Sequence, residues 1–173
     1  GLAAGETPDW EPKIGRALKR PGPKVLVTVH RRESWGAPME RVAQAIKRVS
    51  EEKPDVTFIF PIHLNPVVRA TFKSALDSVA QVVFSEPLPY RPFVHLMKAA
   101  DVVITDSGGI QEEAPTLGKP VLVMRETTER PEGIDAGTAK LVGTDSEVIG
   151  RELLLLLNDQ VAYDSMANAV NPY

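Results

Sequence analysis

Short apolar runs rich in β-branched residues alternate with stretches of helical spacing along most of this chain. Helical spacing is clear at Phe93, Leu96, Met97 and Ala100, which recur at intervals of three and four residues. The apolar runs predict strands at 24–29, 56–62, 82–84, 102–105, 121–124 and 139–142. Such alternation is typical of an α/β domain, so we predict a Rossmann-like, doubly wound parallel sheet.

Capping residues mark several of the predicted helix ends. Asn65 precedes Pro66, and proline costs least at the first helical position, so a helix is predicted to begin there. Thr144 and Glu147 predict a capping box for the helix that carries the leucine run. A further short helix is predicted to end at Gly118.

The length of 173 residues fits one compact domain with a sizeable core. Residues 1–23 are rich in glycine, proline and charge, so we predict a linker or surface approach there and the domain itself over 24–173. The chain begins at Gly1 rather than at a methionine, which is typical of a fragment, a processed chain or a partly ordered one.

Composition excludes several classes of function. The net charge is −3, and basic residues form no block, which argues against nucleic-acid binding. The absence of cysteine excludes disulfides, thiolate metal sites and cysteine nucleophiles. The longest apolar run, 153–157, is far too short to span a membrane, and no signal peptide is recognisable at the start. We therefore expect a cytoplasmic protein that contacts neither membrane nor nucleic acid.

Polar residues follow four of the predicted strands, at the point where each strand ends. They lie at 30–33, at His63, at 106–109 and at 125–130. Ligands of doubly wound sheets bind at the carboxyl ends of the strands. The four loops therefore predict a binding site at this edge of the sheet.

The turn Asp106-Ser107-Gly108-Gly109 before Ile110 has the composition of an anion site. Two glycines allow a ligand to approach the backbone, and the first amides of a helix lack partners within the helix. The helix dipole would favour a bound anion by roughly 0.3 to 2 kcal/mol. Aspartate, serine and glycine also begin helices that bind nothing, so these four residues leave both interpretations open.

Other candidates carry weaker signals. Glu113 lies one turn into the predicted helix, where it can accept hydrogen bonds from ribose hydroxyls, although spacing alone favours a solvated glutamate, as it does more strongly for Glu112. His30 precedes an arginine pair, which favours anion binding over a core role. His63 is ambiguous, and His95, within a helix, is interpreted as structural.

Several familiar motifs are missing from the sequence. No Gly-x-Gly-x-x-Gly follows the first strand and no Walker A sequence occurs, which argues against the usual dinucleotide and P-loop sites. Three scattered histidines without cysteine make a zinc site a poor interpretation. Ser107 does not lie in a nucleophile elbow, so serine hydrolase chemistry is disfavoured. We expect no metal and no cofactor.

Motifs spread over nearly the whole chain resemble, in order, those of the non-hydrolysing UDP-N-acetylglucosamine 2-epimerases. The motifs are HRRE at 30–33, PIHLNP at 61–66, TDSGGIQEEAP at 105–115, LGKPVLVMR at 117–125, TTERPE at 127–132, AGT at 136–138 and NPY at 171–173. The resemblance implies the C-terminal half of a glycosyltransferase-B-like fold of two domains. It also implies interconversion of UDP-N-acetylglucosamine and UDP-N-acetylmannosamine, by elimination and re-addition of UDP with inversion at C2. The implied setting is cell-surface polysaccharide biosynthesis, and we expect a homodimer in the full-length enzyme.

The resemblance also implies roles for single residues. The residues it assigns to UDP are His30, Ser107, Gly108 and Gly109 at the diphosphate, Glu113 at the ribose, Arg130 in the same cleft and Phe93 near uracil. His30 would also be catalytic, because charge builds on the departing diphosphate. Arg31, Arg32 and His63 provide the residues of an implied second, activating site. Ser34 stands where the family has asparagine, which is expected to alter a local cap. The acid/base carboxylates for C2 lie in the family's N-terminal half, which this chain lacks.

Three alternatives remain open at this point. A glycosyltransferase of the same two-domain fold also binds a nucleotide sugar through its C-terminal half. A hydrolysing relative would release free N-acetylmannosamine. A non-catalytic nucleotide-sugar-binding module is the third, and it describes the 173 residues if they act alone.

Overall fold

A computed structural model describes residues 10–173, which form a six-stranded sheet in the order β3-β2-β1-β4-β5-β6. Every neighbouring pair of strands is parallel. The strands are β1 (Lys24–Thr28), β2 (Thr57–Pro61), β3 (Val82–Ser85), β4 (Val102–Thr105), β5 (Val121–Val123) and β6 (Ala139–Leu141). The predicted doubly wound α/β fold is therefore confirmed, with strand ends within one residue of those predicted.

Helices cover both faces of this sheet. Their bounds are α1 (Pro12–Leu18), α2 (Ala37–Glu52), α3 (Pro66–Leu76), α4 (Tyr90–Ala99), α5 (Gly108–Thr116), α6 (Pro131–Ala136), α7 (Ser146–Asn158) and α8 (Gln160–Ala167). Successive residues of a strand point to opposite faces, so a strand covered on both sides must be apolar throughout. In β1, Val25 and Val27 pack with α2 and α7, whereas Leu26 packs on the opposite face with α1, α4 and α5.

Helix α1 lies within the segment that the sequence predicts to be a linker. Ile14 and Ala17, three residues apart, are fully buried and pack in the same cluster as Ile59 of β2. Residues 12–18 thus belong to the folded body, because an apolar pair on one helix face outweighs the glycine, proline and charge around it. The rest of the predicted linker up to residue 9 lies outside the described residues.

The predicted helix ends are partly confirmed. The Asn65 side chain accepts from the amide of Val67 at the start of α3, and Gly118 follows α5 with a positive φ of 71°. The capping box at Thr144 is wrong, because the carboxylate of Asp145 accepts from the amides at the start of α7. The Thr144 hydroxyl instead accepts from Arg41. Local spacing did not distinguish two adjacent residues that can both cap.

Among residues 10–173, no helix is both long enough and apolar enough to cross a membrane. The sheet order has its topological switch between β1 and β4, since the chain winds outward from these strands in opposite directions. Helix α2, which follows β1, and helix α5, which follows β4, pack on opposite faces of the sheet, so a crevice is expected at the carboxyl ends of these two strands.

Candidate functional site

The crevice at the switch point begins where β1 and β4 end side by side. Thr28 pairs with Thr105 in the register of the two strands, and their hydroxyl oxygens lie 2.6 Å apart. The chain then continues into His30 on one side and into Asp106 on the other. Residues that are 76 positions apart in sequence are thereby brought into contact.

Asp106 is fully buried and holds the loop after β1 in place. Its carboxylate accepts from the backbone amides of His30, at 3.1 Å, and of Arg31, at 3.0 Å. The Ser34 hydroxyl donates to the same carboxylate at 2.9 Å. Asp106 therefore faces the protein rather than a ligand, and the shorter Ser34 side chain still completes the local network.

The tip of α5 presents backbone amides toward the crevice. Ser107 precedes the helix in an extended conformation, and its side chain does not cap the helix. The first amides, including those of Gly108 and Gly109, have no partner within the helix, because the preceding turn is missing. A Cβ atom on Gly108 would lie 4.0 Å from the guanidinium of Arg130, so a cation borders this tip.

A cleft of about 200 Å³ lies beside the helix tip. His30 and His63 line it together with the apolar side chains of Leu88, Phe93 and Ile110. The His30 ring is about half exposed, and its Nε2 lies 3.7 Å from the Asp106 carboxylate. The cleft thus joins an apolar wall, suited to a planar ring, to the polar tip of α5.

Glu113 lies on α5, one turn beyond the tip. Its carboxylate accepts from the Tyr90 hydroxyl at 3.0 Å, and this hydrogen bond raises the pKa of Tyr90. A carboxylate offers about four acceptor positions, so Glu113 retains capacity for further hydroxyl donors. The structure therefore leaves the predicted ribose role chemically available to Glu113.

Arg130 is the residue before α6, and its guanidinium turns back toward α5. Its Nε donates to Glu112, and the two form an ion pair. The Glu112 side chain is still 43% exposed, so the predicted solvated glutamate also serves as the partner of Arg130. The ion pair joins the loop after β5 to the first turns of α5, and helix periodicity alone cannot predict such a contact.

The three residues of the implied second site are held by different partners. His63 faces the cleft with His30, and its Nδ1 accepts from the amide of Asn65. The Arg31 guanidinium lies 3.3 Å from Glu33 and 3.8 Å from Glu129. The Arg32 guanidinium lies 5.7 Å from the centroid of the Trp35 ring. Only His63 of the three lines the cleft.

An alternating row of charges extends from the loop after β1 to the loop after β5. Arg125 donates twice to Glu129, and this pairing lowers the pKa of Glu129 to about 2. Glu129 in turn faces Arg31. A carboxylate with so low a pKa stays ionised at neutral pH, so it is a poor general acid there.

One residue of this site, Gln111, has no role in the sequence-based prediction, although it lies within the motif at 105–115. Gln111 is fully buried on α5, and its side-chain oxygen accepts from the Thr128 hydroxyl at 2.6 Å. One signal was available, since Gln111 lies next to Ile110 and three residues before Ala114, on the buried side of α5. A polar side chain on the buried side of a helix requires a buried partner, but spacing cannot say which residue supplies it.

Comparison with known proteins assigns the family. The model of the family described as UDP-N-acetylglucosamine 2-epimerase matches residues 6–173. The UDP-N-acetylglucosamine 2-epimerase of Salmonella typhimurium is 53% identical over 149 residues, which cover 86% of this chain and 40% of that protein. This chain thus spans about 40% of the length of the curated relatives it matches.

Solved structures agree in fold and in sequence. The UDP-GlcNAc 2-epimerase from Neisseria meningitidis bound to UDP-GlcNAc is 45% identical, with a TM-score of 0.85 over 88% of this chain and 41% of that one. S. aureus MnaA with UDP is 38% identical, with a TM-score of 0.91 over 99% of this chain and 46% of that one.

A similar fold also occurs in a protein outside this family. The C-terminal domain of a group 1 glycosyltransferase from Francisella tularensis reaches a TM-score of 0.69 at 20% identity, over 91% of this chain and 87% of that domain. The expected likeness to a glycosyltransferase-B half is therefore confirmed at the level of fold. By the family model and by its sequence identity to these relatives, the chain belongs to the UDP-N-acetylglucosamine 2-epimerase family.

Proposed function

We propose that this chain binds the UDP part of UDP-N-acetylglucosamine in an enzyme that interconverts it with UDP-N-acetylmannosamine. The observation that carries the proposal is the convergence of His30, the amides at the tip of α5 and Arg130 beside an apolar cleft. These are donors and cations suited to a diphosphate, next to a wall suited to a base. Two related proteins of known structure hold UDP-GlcNAc or UDP, which supports the same ligand here.

The proposed chemistry is elimination of UDP followed by its re-addition with inversion at C2. Negative charge grows on the diphosphate as the bond between sugar and phosphate breaks. Donors already positioned at that charge stabilise the transition state more than the ground state, because they need not reorganise. His30, Ser107 and the amides of Gly108 and Gly109 would supply this stabilisation. Glu113 would hold the ribose and Phe93 would border the uracil.

The remaining parts of the enzyme belong to the same proposal. Proton transfer at C2 is assigned to carboxylates of the other half, and the full-length enzyme is proposed to be a homodimer. Arg31, Arg32 and His63 stay a proposed activating site, with the partners described above. A glycosyltransferase is the less supported alternative, because its likeness to this chain is confined to the fold.

The first prediction is that this chain binds UDP by itself, because His30, the α5 tip and Glu113 all lie on it. Charge-assisted hydrogen bonds contribute about 1.5 to 3 kcal/mol each, and ordering costs offset part of them. We expect a dissociation constant of roughly 10 to 1,000 μM by calorimetry. Absence of UDP binding at millimolar concentration by folded protein would contradict the proposal.

The second prediction separates the roles of Glu113 and His30 in an enzyme that joins this chain to the other half. Glu113→Ala should mainly raise KM, because ribose contacts exist before and during the reaction. His30→Ala should mainly lower kcat, because its partner gains charge in the transition state. Glu51→Ala, an exposed glutamate near the end of α2, is the control and should change neither. Steady-state kinetics with the opposite pattern would show that the roles are assigned wrongly.

A further inference from the structure

A continuous series of hydrogen bonds joins the tip of α5 to the loop that carries Arg130. The amide of Arg130 donates to the Thr128 hydroxyl at 2.9 Å. That hydroxyl lies 2.6 Å from the side-chain oxygen of Gln111, whose amide nitrogen donates to the carbonyl of Ser107 at 3.2 Å. Two residues at the start of α5 and two in the loop after β5 are thus connected through the side chains of Gln111 and Thr128.

The direction of this series is determined by its chemistry. A threonine hydroxyl has one proton, and here its oxygen already accepts from the amide of Arg130. The proton is therefore available to the Gln111 oxygen, which leaves the Gln111 amide nitrogen for the carbonyl of Ser107. Gln111 is fully buried, so neither end of its amide can exchange its partner for bulk water.

The backbone of Arg130 is also held from its other side. The Tyr173 hydroxyl donates to the carbonyl of Arg130 at 3.3 Å and accepts from the amide of Gly133 at 3.1 Å. Both polar groups of the Arg130 backbone are therefore bonded, while its side chain reaches Glu112 and the neighbourhood of Gly108. The backbone of Arg130 is therefore fixed on both sides, and its guanidinium is held beside the tip of α5.

We propose that Gln111 and Thr128 are positioning residues that set Arg130 against the anion-binding tip of α5. The inference rests on the proposed UDP site and goes beyond it, since neither side chain would touch the nucleotide. Arginine has a long and flexible side chain, so binding a phosphate through it costs ordering entropy. A backbone held in place before binding lowers that cost, and it also keeps the guanidinium aimed at the same point as the free amides.

The test is a double-mutant cycle between Thr128 and Arg130, read by UDP titration of this chain by NMR. Thr128→Val keeps the shape of the side chain but removes its hydroxyl, and we expect it to weaken UDP binding about tenfold. Thr128→Ser retains the hydroxyl and should remain within about twofold of the original affinity. In an Arg130→Met background, Thr128→Val should change the affinity by less than about twofold, because the residue that it positions is gone.

A second variant keeps the proposal testable if Thr128→Val fails to fold. Gln111→Met preserves length and burial while removing both hydrogen bonds, and its effect on UDP affinity should also disappear in the Arg130→Met background. Thermal melts followed by circular dichroism verify that each variant is folded. If either substitution weakens UDP binding equally with and without Arg130, the series acts through general stability and the inference is wrong. Unchanged affinity in both single variants would also overturn it.

The same titration keeps this inference separate from the proposed function. If the unsubstituted, folded chain does not bind UDP, the proposed function fails and the positioning role falls with it. If the unsubstituted chain binds UDP and the cycle shows no coupling, only the positioning role is overturned.

Discussion

Incubated with UDP-N-acetylglucosamine in heavy water, this chain by itself will form no UDP-N-acetylmannosamine and will incorporate no deuterium at C2. Inversion at C2 requires removal of a proton on one face of the sugar and delivery on the other. Two acid/base groups must therefore be positioned on opposite sides of the ring. The chain spans about 40% of the length of its curated relatives. The family resemblance assigns the two acid/base groups, both carboxylates, to the other half of the enzyme.

The loops at the crevice contain three carboxylates whose ability to transfer a proton at C2 can be judged from their partners. Glu129 is bound by Arg125 and has a pKa of about 2, and Glu33, whose pKa is also lowered, is paired with Arg31. Asp106 is buried against the amides of the loop after β1. The lowered pKa values of Glu33 and Glu129 keep both carboxylates ionised near neutral pH, and the Asp106 carboxylate is occupied by donors within the protein.

The expected loss of epimerisation is large because the reacting groups are no longer held in position. Orientation of the reacting groups in a closed site can contribute about 7 to 11 kcal/mol, and a single domain leaves one face of the sugar in water. Proton NMR of the nucleotide sugar gives the answer, with a protein-free sample as reference. A protein that joins both halves is the positive control and should exchange C2 hydrogen. Deuterium at C2 with this chain alone would move the acid/base carboxylates into it.

Asp106→Ala will abolish measurable UDP binding and lower the free energy of unfolding by about 3 to 5 kcal/mol, since it leaves one buried hydroxyl and two partly buried amides without an acceptor. A fully buried donor without a partner costs about 1 to 3 kcal/mol. The substitution removes the acceptor of the His30 and Arg31 amides and of the Ser34 hydroxyl. Without it, the loop after β1 loses its attachment to β4. His30 then no longer has a defined position beside the tip of α5.

Urea unfolding and UDP titration measure the two effects separately. Asp159→Ala is the matched control, because that carboxylate also accepts two backbone amides but caps α8, away from the crevice. We expect it to cost about 1 kcal/mol of stability, the usual value for a lost helix cap, and to leave UDP binding unchanged. If Asp106→Ala retains UDP affinity, Asp106 is not what orders the loop.

The sequence predicted the sheet and its edge well, because these depend on local periodicity. A strand buried on both faces must be apolar along its length, and a helix on a sheet must carry an apolar stripe, so both are visible in single segments. Once the strands are known to be parallel, their carboxyl ends share one edge. The clustering of His30, His63, the 106–109 turn and the 125–130 loop at that edge follows without further information.

What the sequence by itself determined about this protein is therefore its fold class, the edge that carries the site and the family motifs there. Only the tertiary structure decided which way the polar side chains face. Asp106 belongs to a turn for which the sequence left anion binding and simple capping open, and the structure buries it against a loop 76 residues away. Gln111 pairs with Thr128, 17 residues on. The physical reason is that buried polar groups must be paired, and the geometry of the strand ends, rather than spacing along the chain, selects the partner.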